Sequence, residues 1–324
     1  MKRPLLTVFL LFYFTLVNAA DSNSSHCTTD LSYGCLDTRI LQSFWYGSPN
    51  DENVSKYLSR EKTFAKYSWK HAIASSVVYK RESHEEPLPK LENLGWKNIL
   101  CSSDKSNCVQ NEEDDIGFYA DAWLTENHEI VIAFRGTDSV WKDFFKGNLA
   151  FAPLIFGRTQ FDAALDFSRD ILDQAENEEF EFYSVIFTGH SLGGGLAQFT
   201  QRFFDKSKSI VFDPSPNRGR LYSLFTLADS QPLNAVRVYE KGEILESFRK
   251  GLDPDFKFDW EPNKLGKSTI WMDFYDDGPS KAHSIRDFAM SLIKLSAIDG
   301  DNTAAEYLSV IDTTREKNYK ATVM

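Results

Sequence analysis

An α/β fold, a mainly parallel sheet with helices on both faces, is what the 324-residue sequence predicts. Three observations lead there. Short β-branched and aromatic runs alternate with stretches of helical period through the second half of the chain. One run, Phe182 to Thr188, passes into a helix-forming stretch through the turn Gly189-His190-Ser191-Leu192-Gly193. No internal repeat or low-complexity linker breaks the series, so residues 61–324 read as one domain.

The elements follow in order. Met1-Lys2-Arg3-Pro4, the apolar run Leu5 to Val17 and the small-residue pattern Val17-Asn18-Ala19 predict a signal peptide over residues 1–19. The run is too short to span a bilayer comfortably and polar residues follow at once, so no transmembrane segment is expected and the chain reads as secreted, extracellular or periplasmic. Residues 20–60 are polar and loop-rich. From Glu61 to Tyr79, the positions Phe64, Tyr67, Ala72, Ala74 and Val77 have helical spacing. Phe118–Leu124 and Glu129–Phe134 read as a hairpin about Thr125–His128. A helix over Gln160–Gln174 precedes the strand that leads into Ser191, and a second over 193–204 follows it. Ser209–Phe212 is a short buried strand stopped by Asp213-Pro214-Ser215-Pro216. Strands at Ala235–Tyr239 and Ser268–Tyr275 and an amphipathic helix over Ser284–Leu295 complete the series.

Composition narrows the function classes. The net charge is −11, and loss of Lys2 and Arg3 with the signal makes it −13, a field that attracts neither nucleic acid nor anionic membrane. The acidic cluster Asn111–Asp115 lacks the ligand alternation and glycine of a calcium loop and reads as a solvated loop. Cys27, Cys35, Cys101 and Cys108 form two close pairs, an even count that favours disulfides in an exported chain. Local pairing, Cys27–Cys35 and Cys101–Cys108, is the simplest of three connectivities, each loop contributing roughly 2.5 kcal/mol in the chain-entropy model. Their spacing does not suit zinc, and the sequence implies no metal and no cofactor.

The chemistry begins at Ser191. Small residues on either side let the backbone bend sharply between strand and helix, presenting the hydroxyl at the sheet end above a helix N-terminus. A serine hydroxyl is a poor nucleophile until a base takes its proton, and that base needs a carboxylate to orient it. With the chain order serine, acid, histidine, His283 is the candidate base, because the other five histidines precede Ser191. His190, its neighbour, is expected to face elsewhere. Two acids are open: Glu243, on the loop after the Ala235–Tyr239 strand, and Asp213, after the strand before. Glu243 is preferred because its loop adjoins the element that bears the histidine. The N–H of Leu192 and the N–H and hydroxyl of Thr137, which follows the break at Gly136, are candidate oxyanion donors.

Ile132-Ala133-Phe134-Arg135-Gly136-Thr137 together with Thr188-Gly189-His190-Ser191-Leu192-Gly193-Gly194 resembles the class 3 lipase family, the fungal-lipase-like α/β-hydrolases, over about Thr63 to Leu292. The resemblance implies an α/β-hydrolase fold with Ser191 as nucleophile, His283 as base, and Thr137 with Leu192 as oxyanion hole. It places the acid on Glu243, where the family usually has aspartate, so Asp213 remains a rival. Arg158-Thr159-Gln160-Phe161 stands where the family often has His-x-Gly-Phe.

The expected activity is that of a secreted serine carboxylic-ester hydrolase acting on lipid esters, a triacylglycerol lipase or esterase working through an acyl-enzyme. A phospholipase A is the alternative among enzymes, and a catalytically silent hydrolase fold used for binding is the alternative of another class. The apolar residues between Ser139 and Gly157, Trp141 and Phe144 among them, suit either a lid that meets a lipid interface or ordinary core packing.

Overall fold

The computed structural model of the protein describes residues 54–79, 90–100, 109–110, 112–113, 116–136, 159–215, 233–240, 242–243, 245, 267–272, 274 and 283–309. The signal segment, the four cysteines, Thr137 and the apolar stretch 139–157 lie outside the described residues.

Helix α1 (Val54–Val77) comes first, followed by the short strands β1 (Lys97–Asn98) and β2 (Glu112–Glu113). The hairpin is β3 (Phe118–Leu124) and β4 (Glu129–Phe134). Helix α2 (Gln160–Asn177), β5 (Ser184–His190), α3 (Leu192–Gln201) and β6 (Ser207–Phe212) follow. The series closes with β7 (Ala235–Glu240), β8 (Lys267–Met272) and α4 (Ile285–Ile298), and residues 302–309 are also helical.

Among the described residues, eight strands form the sheet in the order β1-β3-β4-β5-β6-β7-β8, with β2 paired to β3 outside that path. Strands β4 to β8 are parallel, and the β3–β4 hairpin makes the antiparallel side. The period of two along each strand sorts side chains between two cores. On β5, Val185 and Phe187 join the core under α2 and α3, whereas Ile186 joins the core under α1 and α4. Helices therefore cover both faces, which is why the central strands read as nearly continuous apolar runs. The fold is that of an α/β-hydrolase.

Helix α1 runs along the strands in the strand direction. Tyr67 lies at the amino end of β6, where Lys208 Nζ sits 5.0 Å from its ring centroid. Ser75 meets Thr188 within β5 (2.9 Å between hydroxyls), and Tyr79, just past the helix, meets His190 at the strand's carboxyl end. At the amino end of the sheet, His71 is buried and its Nδ1–H donates to Tyr67 O (3.2 Å). Burial, and then the nearby Lys208 cation, push this imidazole down to about 3. Lys208 pairs with Glu129 (3.3 Å) and is held above the usual lysine value, because its contacts with Tyr67 and Glu129 outweigh the opposing effect of burial.

Two expectations need correction. The first helix begins at Val54 rather than Glu61, so residues 54–60 belong to it and not to a loop-rich segment. Val54, Tyr57 and Leu58 already carry the i, i+3, i+4 spacing, which the surrounding polar residues obscure. Within the acidic cluster, Glu112 and Glu113 are not a solvated loop but pair with Tyr119 and Phe118 of β3. Gly117, just before β3, takes φ 68°, a conformation that glycine adopts without strain. Among the described residues no helix is long and apolar enough to cross a membrane.

Candidate active site

Ser191 stands between β5 and α3 with φ 55° and ψ −123°, a backbone conformation that costs a non-glycine residue about 1–3 kcal/mol. Its surroundings hold it there. Its N–H donates to Phe212 O (3.2 Å), and its carbonyl accepts from Gly195 (3.2 Å) and Ser215 (2.8 Å). Glycine is required on both sides. A Cβ on Gly189 would run into the backbone of Gly193, and one on Gly193 would run into Phe134 O. The strand β4 thus lies directly against the turn. Gly136 is equally confined, since a Cβ there would meet the Tyr79 hydroxyl and approach His190 O to 2.6 Å. Leu192 is the first residue of α3, so its N–H has no acceptor within the helix and remains available to an anion.

The candidate acid Glu243 and candidate base His283 come from the far side of the sheet's carboxyl edge. Glu243 follows β7, and His283 stands just before α4, whose N-cap Ser284 accepts from Asp287 N. Both side chains are buried, and His283 Nδ1 lies 2.7 Å from Glu243 Oε2. The carboxylate sits off the ring N–H axis, so the pair is a short contact rather than a linear hydrogen bond. The same Oε2 accepts from Leu245 N at 2.9 Å, which fixes the carboxylate. His283 Nε2 is buried and makes no hydrogen bond to any described residue, Ser191 included.

Asp213 reaches the same region. At φ 40° it caps the end of β6, is buried, and accepts from Glu240 N on Oδ1 (2.8 Å). One ring nitrogen each of His190 and His283 and a carboxylate oxygen of Asp213 all lie within 4.8 Å of one another.

His190 does not face away from the site. Its ring centroid is 4.4 Å from that of His283, and Tyr79 Oη lies 3.0 Å from its Nδ1. The reason is strand parity: Ile186, Thr188 and His190 share the face of β5 covered by α1, and His283 approaches on that face. Counting by two from Ile186 was the signal that would have placed it. The segment at Thr159, where the family's His-x-Gly-Phe would stand, is instead the N-cap of α2: Thr159 N donates to Asp162 Oδ2 (2.8 Å), and Asp162 N to Thr159 Oγ1 (3.3 Å).

Fold and site define an α/β-hydrolase with a serine at the strand-to-helix turn. The chain belongs to the Phospholipase-like family: the Tle-like phospholipase domain matches residues 70–247, more than half of it. No curated protein matches. Among solved structures it is similar to lipase II from Rhizopus niveus, at 15% identity over 59% of this chain and 76% of that one, TM-score 0.36. It is also similar to a mutant form of MDLA from Penicillium cyclopium, at 16% identity over 77% and 99% of the two chains, TM-score 0.37. The mono- and diacylglycerol lipase from Aspergillus oryzae matches at 16% identity over 49% and 73%, TM-score 0.32.

Proposed function

We propose that the protein hydrolyses carboxylic esters of lipids through an acyl-enzyme on Ser191. One observation carries this reading: a buried carboxylate set against the Nδ1 of a buried histidine at the carboxyl edge of the sheet that ends in Ser191. Glu243 holds Nδ1 protonated, leaving the Nε2 lone pair to take the serine proton. Ser191 Oγ then bonds to the ester carbonyl carbon, and the carbonyl oxygen takes the negative charge. The Leu192 N–H and Thr137 stabilise that oxygen. Imidazolium Nε2–H protonates the departing alcohol as the C–O bond breaks. Water attacks the acyl-enzyme by the same proton route and frees the acid. Nε2 and Oγ meet on substrate binding, as catalytic hydrogen bonds commonly tighten only in the complex.

Membership of a Phospholipase-like family favours a phospholipase A as a second reading beside a triacylglycerol lipase. The purified protein is to be assayed on p-nitrophenyl esters of graded chain length, on triacylglycerol emulsion and on phosphatidylcholine vesicles. Acyl release from phosphatidylcholine alone selects the phospholipase. Release from triacylglycerol and simple esters selects the lipase. A fluorophosphonate that fails to label the folded parent, with no turnover of any ester, leaves the silent fold. Export with removal of residues 1–19 and local disulfides belongs to the same proposal. N-terminal sequencing of the product and thiol titration before and after reduction test both.

A further inference from the structure

We propose that His190, Asp213 and His283 form a binding site for a divalent transition cation, zinc above all, whose occupancy switches the serine centre off. Two imidazoles and a carboxylate are a donor set that zinc favours. Tetrahedral zinc with bonds near 2.1 Å separates its ligand atoms by about 3.4 Å. The three donor atoms here lie within 4.8 Å of one another, so only a small inward adjustment is required of them. All three residues are buried, which excludes most competing water.

The surroundings of each ligand are those a metal site requires. His283 has its Nδ1 against Glu243, and His190 has its Nδ1 against the Tyr79 hydroxyl at 3.0 Å, which leaves Nε2 of each as the nitrogen for a metal. Asp213 is oriented by the Glu240 N–H on Oδ1. A ligand histidine whose other nitrogen is held by a carboxylate or hydroxyl is pre-oriented and more basic, and such support is commonly worth ten- to a hundredfold in affinity. The His283 nitrogen that a cation would take is the one the proposed mechanism needs for the serine proton. The loss of activity therefore rests on the hydrolase reading, but the binding site does not.

The test separates the two. Zinc affinity of the apo protein is measured by competition with a chromophoric chelator, which needs no turnover. One zinc per chain is expected, with affinity falling more than about a hundredfold in His190→Gln and in Asp213→Asn, and about tenfold in Tyr79→Phe. Ser191→Ala, and His128→Ala at an exposed histidine, should bind like the parent. Zinc binding that survives His190→Gln and Asp213→Asn in folded protein overturns the site, as does no binding. If those variants do not fold, the cobalt spectrum of the parent decides. Visible bands of a nitrogen–oxygen set support the site, and a thiolate charge-transfer band, meaning cysteine ligation, overturns it. With the site supported, zinc should also block fluorophosphonate labelling of Ser191, and binding without any labelling in metal-free protein would sink the hydrolase reading alone.

Discussion

Two histidines, each buried against α1 or α4 on one face of the sheet, lie at opposite ends of it with opposite neighbours. His71, over the amino ends of the strands, has the Lys208 cation nearby and is held neutral down to about 3. His283, over the carboxyl ends, has the Glu243 carboxylate 2.7 Å from Nδ1. Burial alone makes a histidine an inert core residue. A buried anion on the far nitrogen is what fits it to hold a proton during a reaction. The carboxyl edge provides that anion because the loops after parallel strands converge there, each free to carry a polar residue.

Removing the chemistry at the carboxyl edge is the largest effect expected. Ser191→Ala and His283→Ala should each lower kcat by roughly a millionfold with the thermal melt preserved, since such residues act as a unit. Steady-state kinetics on a soluble ester checks this, and a residual rate within a hundredfold of the parent would remove either residue from the mechanism.

The anion is tested next. Glu243→Gln keeps the shape and the acceptor for Leu245 N but loses the charge, and should cost about ten-thousandfold in kcat. Asp213→Asn should cost far less. The reverse ranking would transfer the orienting role to Asp213.

At the amino edge the effect is on stability and has a definite sign. Between about 3 and the unfolded value of 6.5, the unfolded chain binds a proton at residue 71 that the folded chain refuses. The folded state therefore loses stability as pH falls through that window and is unaffected above it, by about 3 kcal/mol at pH 4. His71→Leu should flatten this slope in urea melts between pH 7 and pH 4. An unchanged slope would mean that His71 is not the residue responsible.

The smallest expected effect separates burial from charge. Lys208→Met removes the cation beside His71, lets it accept a proton at higher pH, and should reduce the acid loss by less than about 1 kcal/mol. A larger change would rank the lysine above burial as the cause.

Much of the architecture was legible because it is local. Alternation of strand and helix signals places β3, β4 and β7 within a residue of where they lie, and the glycines of 189–193 announce the turn at Ser191. Chain order alone singled out His283. Glu243 was preferred to Asp213 but not separated from it, since both follow parallel strands at one edge and differ only in which the histidine loop reaches. The start of α1 was missed because polar residues thin its apolar stripe, and the pairing of Glu112–Glu113 because an edge strand needs backbone partners more than apolar side chains.

The sequence by itself determined the fold class and the residue types that could carry the chemistry, because hydrophobic period and glycine spacing act over a few residues. Only the tertiary structure decided which of those residues meet. It set Glu243 at 2.7 Å from His283, turned His190 into the site beside Asp213, and left His71 beside a cation at the other end. These contacts join segments that are in one case more than a hundred residues apart in the chain. They depend on the order of strands in the sheet and on which face each loop crosses, neither of which is expressed in local residue spacing.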